Sequence, residues 1–230
     1  MKRVALALLA LALPAAARAQ AYQCSLPQRI DPPREVRQDG PTRRAPISGY
    51  TLAVSWSPEY CHGDTSSMQC SGRNGRFGFV LHGLWPEARS GPSPQWCSLT
   101  PRPSPDLIRQ NLCMTPVPSL LAHEWAKHGS CMTRTPEAYF RTSSILWRSL
   151  RWPDADRLSR QQGLSVGDLR MAVIASNPDW RGRRIGVLLG RSGWLRELRL
   201  CYDRRFMPTD CDRRTFGPPD SAPLKIWRGL

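Results

Sequence analysis

Eight cysteines, all C-terminal to residue 19, constrain the fold of this chain more than any other feature of its sequence. An even number of cysteines in an exported chain predicts a framework of disulfide bonds. A structural zinc site is the alternative, but no two cysteines are separated by only two residues, the spacing that such sites use. We therefore expect disulfides and no metal site, with a connectivity that spacing alone does not determine.

The first 19 residues predict a signal peptide. Residues 1–3 carry two positive charges, residues 4–17 form an apolar run, and residues 17–19 have the small-x-small pattern of a cleavage site. Pro14 interrupts the run, which is also shorter than the ~20 apolar residues that span a bilayer. We expect a periplasmic or secreted protein that does not insert into the membrane once the signal is removed.

The net charge is consistent with a polyanionic partner. The chain carries +15, and removal of Lys2, Arg3 and Arg18 with the signal peptide leaves +12. Such a field attracts nucleic acid and speeds its encounter with the protein. A compositional bias toward arginine explains the same charge, because arginine abounds and lysine is nearly absent.

The mature sequence predicts an α+β domain that follows an irregular arm. Residues 20–48 are rich in proline, arginine and polar residues without any periodicity, so we expect an arm there. Residues 49–230 mix strand and helix patterns, which indicates a single α+β domain. The predicted strands are 50–56, 77–82, 185–189 and 195–202, and the predicted helices begin near Ser104, Pro118, Thr135, Arg157 and Ser165.

The strand at residues 77–82 places a histidine at its end. Phe77, Phe79 and Leu81 alternate with other residues, which is the period of a strand with one face in the core. His82 then lies on the opposite face. The Gly-Leu-Trp-Pro sequence at 83–86 predicts a turn that stops the strand.

A second polar cluster falls on one face of the helix predicted from Pro118. His123, Glu124, Lys127 and His128 lie within about 140° of one another on a helical wheel, while Trp125 points the other way. A zinc-binding helix needs its second histidine four residues after the first, and Lys127 stands there. A solvated surface with incidental charges is the alternative to a catalytic site.

These groups suit the cleavage of RNA without a metal. One imidazole can take the proton of the ribose 2′-OH and another can protonate the departing 5′-oxygen, because both titrate near neutral pH. An ammonium such as that of Lys127 stabilises the extra negative charge of the phosphorane. Glu124 can orient a histidine or hold Lys127 in place.

Both segments resemble the active-site motifs of the ribonuclease T2 family. The first motif, His-Gly-Leu-Trp-Pro, stands at 82–86, and the second, His-Glu-Trp-x-Lys-His-Gly-Ser-Cys, stands at 123–131. Residues 50–56, followed by Cys61, are similar to the first core strand of the family, so the resemblance covers about residues 50–202. It implies an α+β fold with a central antiparallel β-sheet, flanking helices and no cofactor.

The resemblance also implies a role for each motif residue. His128 would be the general base and His82 the general acid, while His123 would help to bind phosphate. Glu124 and Lys127 would stabilise the transition state. The implied product is a 2′,3′-cyclic phosphate, which is then hydrolysed slowly to a 3′-phosphate.

Base recognition is implied at two further positions. Trp85 and Glu87 match family positions that contribute to a base pocket, and an indole holds an unpaired base by stacking. A purely structural Trp85 in the core is the alternative. Leu120 stands where family members often carry an aromatic residue, so the implied second base site lacks one of its usual side chains.

Disulfide pairs follow from the same resemblance. It implies Cys97 with Cys131, Cys201 with Cys211 and, less directly, Cys61 with Cys70. Cys24 and Cys113 are then left, and their pairing would tether the arm; the connectivity of these two and of Cys61 and Cys70 stays open at this point. His62, outside both motifs, is expected on the surface.

The sequence therefore predicts a monomeric endoribonuclease of single-stranded RNA, with no protein partner. An RNase-like protein that binds RNA without cleaving it is one rival, and a metal-dependent hydrolase is another. No member of the catalytic set of the two motifs is replaced, which favours an active enzyme.

Overall fold

A four-stranded antiparallel sheet in the order β4-β2-β6-β5 is the framework of the fold, and a second sheet pairs β1 with β3. The computed structural model describes residues 21–33, 35–98 and 101–229, so the predicted signal peptide lies outside the described residues. The strands are β1 (Ala21–Cys24), β2 (Ile47–Trp56), β3 (Gly75–Phe77), β4 (Phe79–Ala88), β5 (Ile185–Leu189) and β6 (Leu195–Asp203).

Helices surround this sheet, as expected for the α+β class. They are α1 (Ser57–Gly63), α2 (Pro105–Asn111), α3 (Pro118–Lys127), α4 (Pro136–Ser149), α5 (Ala155–Leu158), α6 (Val166–Ser176) and α7 (Arg213–Phe216). Side chains of Ser104, Thr135 and Ser165 accept hydrogen bonds from backbone N–H groups at the starts of α2, α4 and α6. Each of these residues satisfies a donor that the helix itself leaves free. None of the described helices is long and apolar enough to cross a membrane.

The two faces of the central sheet differ in chemistry. Residues directly opposite each other in antiparallel strands share a face. On one face Leu52 pairs with Leu200 and Val54 with Leu198, and all four are fully buried. This face belongs to the core, which also contains Trp125 of α3, Phe140 of α4 and Leu169 of α6.

The other face of the same strands carries polar groups. Ser55 of β2 pairs with Glu197 of β6, and Ala53 pairs with Arg199. Trp85 of β4 lies on this face too, because it pairs with Thr51. Alternation along the strands thus separates the core from the surface on which the site is built.

The predicted turn at residues 83–86 is wrong, because β4 continues through it to Ala88. His82 therefore lies within the strand rather than at its end. Pro86 is tolerated since β4 is an edge strand, where a missing N–H can face away from the ladder. The edge is also covered: Thr115 Oγ1 donates to the Leu81 carbonyl at 2.7 Å, and the hydroxyl of Tyr139 bonds both backbone groups of Leu84.

The prediction that residues 20–48 are irregular throughout is also wrong. Residues 21–24 form β1 and pair with β3, and the last two residues of the arm already belong to β2. Backbone pairing stabilises β1 where the sequence shows no periodicity, and the disulfide of Cys24 with Cys113 fixes its end. Helix α1 was not predicted either, and Pro58 within its first turn is the signal that marks it.

All eight cysteines form disulfides, in the four pairs named above. The bonds join Cys24 with Cys113, Cys61 with Cys70, Cys97 with Cys131 and Cys201 with Cys211. The bond of Cys97 with Cys131 connects the loop after β4 to the segment after α3. It therefore helps to hold together the two segments that carry the motifs.

Candidate active site

His82 follows Leu81 of the core face and lies on the polar face of the sheet, at a bulge in β4. Ala53 pairs with Gly83 and Val54 with Leu81, so His82 is the extra residue of β4. A bulge re-aims a side chain, and bulges are common beside active sites. The imidazole is 34% exposed, and its Nδ1 lies 2.8 Å from Glu197 Oε2.

Helix α3 supplies the second part of the site. His123, Glu124 and Lys127 lie on this helix, and His128 caps its C-terminus. Trp125 points into the core, as predicted from the helical wheel. The amphipathic pattern thus anchors the helix by one face and presents the polar residues on the other.

Glu124 connects the two parts of the site, because it lies on α3 and contacts residues of β4. Its side chain is only 4% exposed, and Trp85 Nε1 donates a 2.7 Å hydrogen bond to Oε2. His82 Nε2 lies 3.6 Å from Oε1, and His128 Nε2 lies 4.0 Å from Oε2. A side chain at Gly83 would overlap Oε2, so this arrangement requires glycine there. One carboxylate therefore lies within 4.0 Å of both imidazoles.

The Trp85 indole packs beside the same two imidazoles. Its centroid lies 5.1 Å from that of His82 and 5.5 Å from that of His128. Trp85 is half-buried and holds Glu124, which makes it a structural part of the site rather than a residue of the core.

Burial and charge give the two histidines opposite protonation states. Burial, together with the neighbouring charges of Lys127, His123 and His82, lowers the pKa of His128 to about 3. Burial disfavours the cation of His82 too, but the hydrogen bond to Glu197 and the charges of Glu124 and Glu197 outweigh it and raise the pKa. At pH 6.5, the ordinary pKa of histidine, His128 is therefore neutral while more than half of His82 is protonated.

Burial also raises the pKa of Glu124 to about 7, although His82 and the hydrogen bond from Trp85 oppose the rise. At neutral pH this group therefore exists in both its acid and its carboxylate forms. The acid form can donate a hydrogen bond to an anion, as carboxylic acids in apolar sites do.

Lys127 and His123 contact Asp39 of the N-terminal arm rather than residues of the sheet. Lys127 Nζ donates to Asp39 Oδ2 at 2.9 Å, and His123 Nε2 lies 3.7 Å from the same oxygen. Trp96 Nε1 donates to Asp39 Oδ1 at 3.2 Å. Asp39 thus carries the negative charge next to both groups.

A cleft of about 750 Å³ opens beside this cluster, a size typical of ligand sites. Of the predicted site residues, His82, Trp85 and His123 line it. Glu35, Val36, Arg37, Leu120, Glu197 and Arg199 are among the other residues that line it. The lining includes Arg37 and Arg199, whose guanidinium groups can bind an anionic ligand.

The remaining predicted residues lie outside the lining of the cleft. Glu124 is next to it through His82 and His128 through Trp85, while Lys127 shares Asp39 with His123. Glu87 is further away, and its carboxylate accepts hydrogen bonds from Thr51 and Ser93. The structure brings the five predicted catalytic residues together and leaves Glu87 apart from them. His62 is exposed, as expected.

Two acidic residues of the site were not predicted. Glu197 alternates with buried leucines on β6, so the sequence does mark it as a residue of the opposite face. Asp39 carries no comparable signal, because only the path of the arm brings it to Lys127. Within residues 21–33, 35–98 and 101–229, no cluster of His, Cys, Asp and Glu is arranged to hold a metal ion.

Comparisons with known proteins agree with the motifs. The sequence model of the ribonuclease T2 family matches residues 48–162. A probable ribonuclease of Haemophilus influenzae is 31% identical over 190 residues, which are 76% of this chain and 65% of that protein. A ribonuclease of Aeromonas hydrophila is 31% identical over 161 residues, which are 67% of this chain and 71% of that protein. The chain thus spans about two thirds of the length of these relatives.

A solved structure shows the same fold. Trichomaglin, described as an S-like ribonuclease, superposes with a TM-score of 0.60 at 21% identity. The superposition covers 78% of this chain and 98% of trichomaglin. At this identity the likeness concerns the fold alone.

The buried neutral His128 predicts acid sensitivity of the fold. The ordinary pKa of a histidine side chain is 6.5, whereas the pKa of His128 in the folded chain is about 3. Between these pH values the unfolded state therefore binds one proton more at this residue than the folded state does. The contribution of the neutral His128 to the free energy of unfolding is fully present above pH 6.5, and it is lost as the pH falls from 6.5 toward 3. His128→Asn removes it, so urea unfolding between these pH values should show a shallower loss of stability in the variant.

The control for this experiment is His62→Asn, which replaces an exposed histidine. This variant should follow the unmodified protein across the same pH range. Parallel stability curves for His128→Asn and the unmodified protein would contradict a buried neutral His128.

Proposed function

Because the chain belongs to the ribonuclease T2 family, we propose that it is an endoribonuclease that cleaves single-stranded RNA by transesterification without a metal. The observation that carries the proposal is the pair of imidazoles, His82 and His128, that lie within 4.0 Å of one carboxylate. Acid-base catalysis needs one group that holds a proton and one that can accept it at the same pH.

In the first step, the neutral His128 takes the proton of the ribose 2′-OH. The 2′-oxygen attacks phosphorus, and the bond from phosphorus to the 5′-oxygen breaks. The protonated His82 gives its proton to that oxygen, which leaves as an alcohol. The raised pKa of His82 and the lowered pKa of His128 support this assignment of acid and base.

Three groups stabilise the negative charge that develops on the phosphorane. Lys127 and His123 bind the phosphate as cation and hydrogen-bond donor, and the acid form of Glu124 donates to a non-bridging oxygen. Donors fixed before the reaction stabilise the transition state more than the ground state. The 3.6 Å approach of Glu124 to His82 supports its position beside the reacting phosphate.

In the second step, water opens the 2′,3′-cyclic phosphate to a 3′-phosphate. The histidine roles are reversed: His82, now neutral, takes the proton of water, and His128, now protonated, returns a proton to the 2′-oxygen. Independence from metals rests on the sequence, since Lys127 stands where a metal-binding helix needs its second histidine.

Base binding is proposed for the cleft, with Trp85 as a stacking surface. Trp85 and Leu120 both line the cleft, and stacking accepts any unpaired base. Glu87 could bind a base only if its carboxylate first lost the hydrogen bonds that it accepts from the hydroxyl groups of Thr51 and Ser93. The proposal therefore gives the main part in recognition to Trp85.

The enzyme is further proposed to act in the periplasm or outside the cell, as a monomer. Four disulfides support a location in an oxidising compartment. The net positive charge supports the approach of RNA, because a basic surface attracts polyanions.

Replacing either catalytic histidine tests the function. His82→Ala and His128→Ala should each lower kcat for a dinucleotide by about two or more orders of magnitude, the usual contribution of a general acid or base. His62→Ala should retain full activity. EDTA should leave cleavage unchanged, and single-stranded DNA should stay intact because it lacks the attacking 2′-OH.

The assay follows release of the cyclic phosphate with EDTA present. Full activity of both histidine variants would refute the assignment of acid and base. Cleavage of DNA at a comparable rate would refute transesterification, and loss of activity with EDTA would favour a metal-dependent reaction.

A further inference from the structure

Glu197 is a buried carboxylate that contacts the proposed general acid. It lies on the polar face of β6, between Ser55 of β2 and Leu188 of β5, and its side chain is 5% exposed. One oxygen lies 2.8 Å from His82 Nδ1, and the other accepts a 2.8 Å hydrogen bond from Arg199 Nε. Burying a carboxylate is costly unless its partners are well placed, and here both oxygens have one.

This contact determines which nitrogen of His82 is free for chemistry. A carboxylate only accepts hydrogen bonds, so Nδ1–H of His82 donates to Glu197. The exchangeable proton of the reaction must then be on Nε2. Nε2 is the nitrogen that lies 3.6 Å from Glu124 Oε1, on the side of the other catalytic residues.

The geometry points to Glu197 as a positioning residue of the reaction: it holds the His82 imidazole so that Nε2–H faces the substrate, and it keeps that ring protonated. This inference rests on the proposed function. Glu197 lies outside residues 48–162 and outside both motifs, so neither the family match nor the motif comparison includes it.

Several charges determine the protonation of His82. Glu197 and Glu124 favour the cation, while Arg199 opposes it. His123 and His128 are the other titratable groups close enough to be affected by His82. Of the charged groups that affect His82, Glu197 forms a direct hydrogen bond with the imidazole, so its charge lies nearest to the ring.

Two substitutions separate the charge of Glu197 from its hydrogen bond. Glu197→Gln removes the charge but keeps a carbonyl that can accept from Nδ1–H, whereas Glu197→Ala removes both. We expect the pKa of His82 to fall in both variants, as measured by NMR of the imidazole signals. The kcat for a dinucleotide should fall about tenfold to hundredfold in Glu197→Ala, the loss expected for a hydrogen bond to a charged group, and KM should change little.

The pH profile gives a readout that a structural role would not change. His82 must be protonated to act as an acid, so activity is lost as the pH rises through its pKa. A lower pKa moves this limb of the kcat profile to lower pH in Glu197→Gln. The control is Glu137→Gln, which removes an exposed carboxylate of α4 and should leave the profile unchanged.

An unchanged pKa of His82 and an unchanged alkaline limb in Glu197→Gln would overturn the inference. The NMR titration does not need activity, so it tests Glu197 even if the unmodified protein fails to cleave RNA. RNA cleavage by the unmodified protein together with an unshifted His82 would leave the proposed function in place and remove Glu197 from it.

A second, independent observation concerns residues 35–42 of the arm, which we name the strap. The strap is followed by Arg43, whose backbone pairs with Gln95, and by Arg44, which donates to the carbonyl of Cys97. Glu35, Val36 and Arg37 line the cleft beside His82 and His123. The strap therefore borders the cleft in which we place the substrate.

Asp39 of the strap contacts both groups that the proposed function assigns to the substrate phosphate. Its Oδ2 lies 2.9 Å from Lys127 Nζ and 3.7 Å from His123 Nε2. A carboxylate and a phosphate offer similar anionic oxygens to such groups. The Asp39 side chain is 48% exposed. An ion pair with this much exposure to water is weak, so a ligand can displace it.

We infer that Asp39 contacts Lys127 and His123 at the position where the substrate phosphate binds, and that RNA must displace the strap there to bind. Asp39→Asn should lower both the Kd for inorganic phosphate and the KM for RNA, each by about twofold to fivefold, since exposed ion pairs contribute little. The kcat should stay nearly constant, because the displaced residue no longer touches the bound substrate.

The matched control is Asp31→Asn, which removes the same charge from an exposed position of the arm. Asp39→Asn should bind phosphate more tightly than this control in calorimetry. Equal affinities would show that only net charge matters, and weaker binding would show that Asp39 holds Lys127 in place; either result would overturn the inference. Phosphate binding needs no RNA cleavage, so this test is separate from that of the proposed function.

Discussion

The buried carboxylate of Glu124 is the constraint on which the rest of the site depends. It accepts a hydrogen bond from Trp85 of β4, while it is itself part of α3, and so it connects the sheet to the helix that carries most of the proposed catalytic residues. Its position needs Gly83 without a side chain and the support of Trp125 in the core. Both motifs are therefore parts of one packed unit.

This arrangement also explains how two identical side chains acquire different chemistry. His82 lies between two carboxylates, which favour its cation, whereas His128 is buried among cations and has lost the solvent that would stabilise a charge. Among the described residues, none forms a hydrogen bond with the buried His128 Nδ1. Environment alone thus distinguishes the proposed acid from the proposed base.

Much of the fold could be predicted from local patterns. Strand alternation located the core face of β4 at Phe79 and Leu81, and the helix-capping residues located the start of α6. Local patterns failed where long-range contacts decide the structure. Pro86 fits within β4 only because that strand is at the edge, and Asp39 reaches Lys127 only through the path of the arm. The burial of Glu197 likewise follows from strand pairing, which the sequence of β6 alone does not show.

The central claim is that His82 and His128 hold opposite protonation states around Glu124. An NMR titration of the imidazole signals of the unmodified protein tests it most directly, with each histidine assigned by its absence from a single-substitution variant. The account predicts that His82 titrates above its ordinary pKa and that His128 stays neutral until the pH approaches 3. Titration of both imidazoles together near pH 6.5, the ordinary value for histidine, would contradict it.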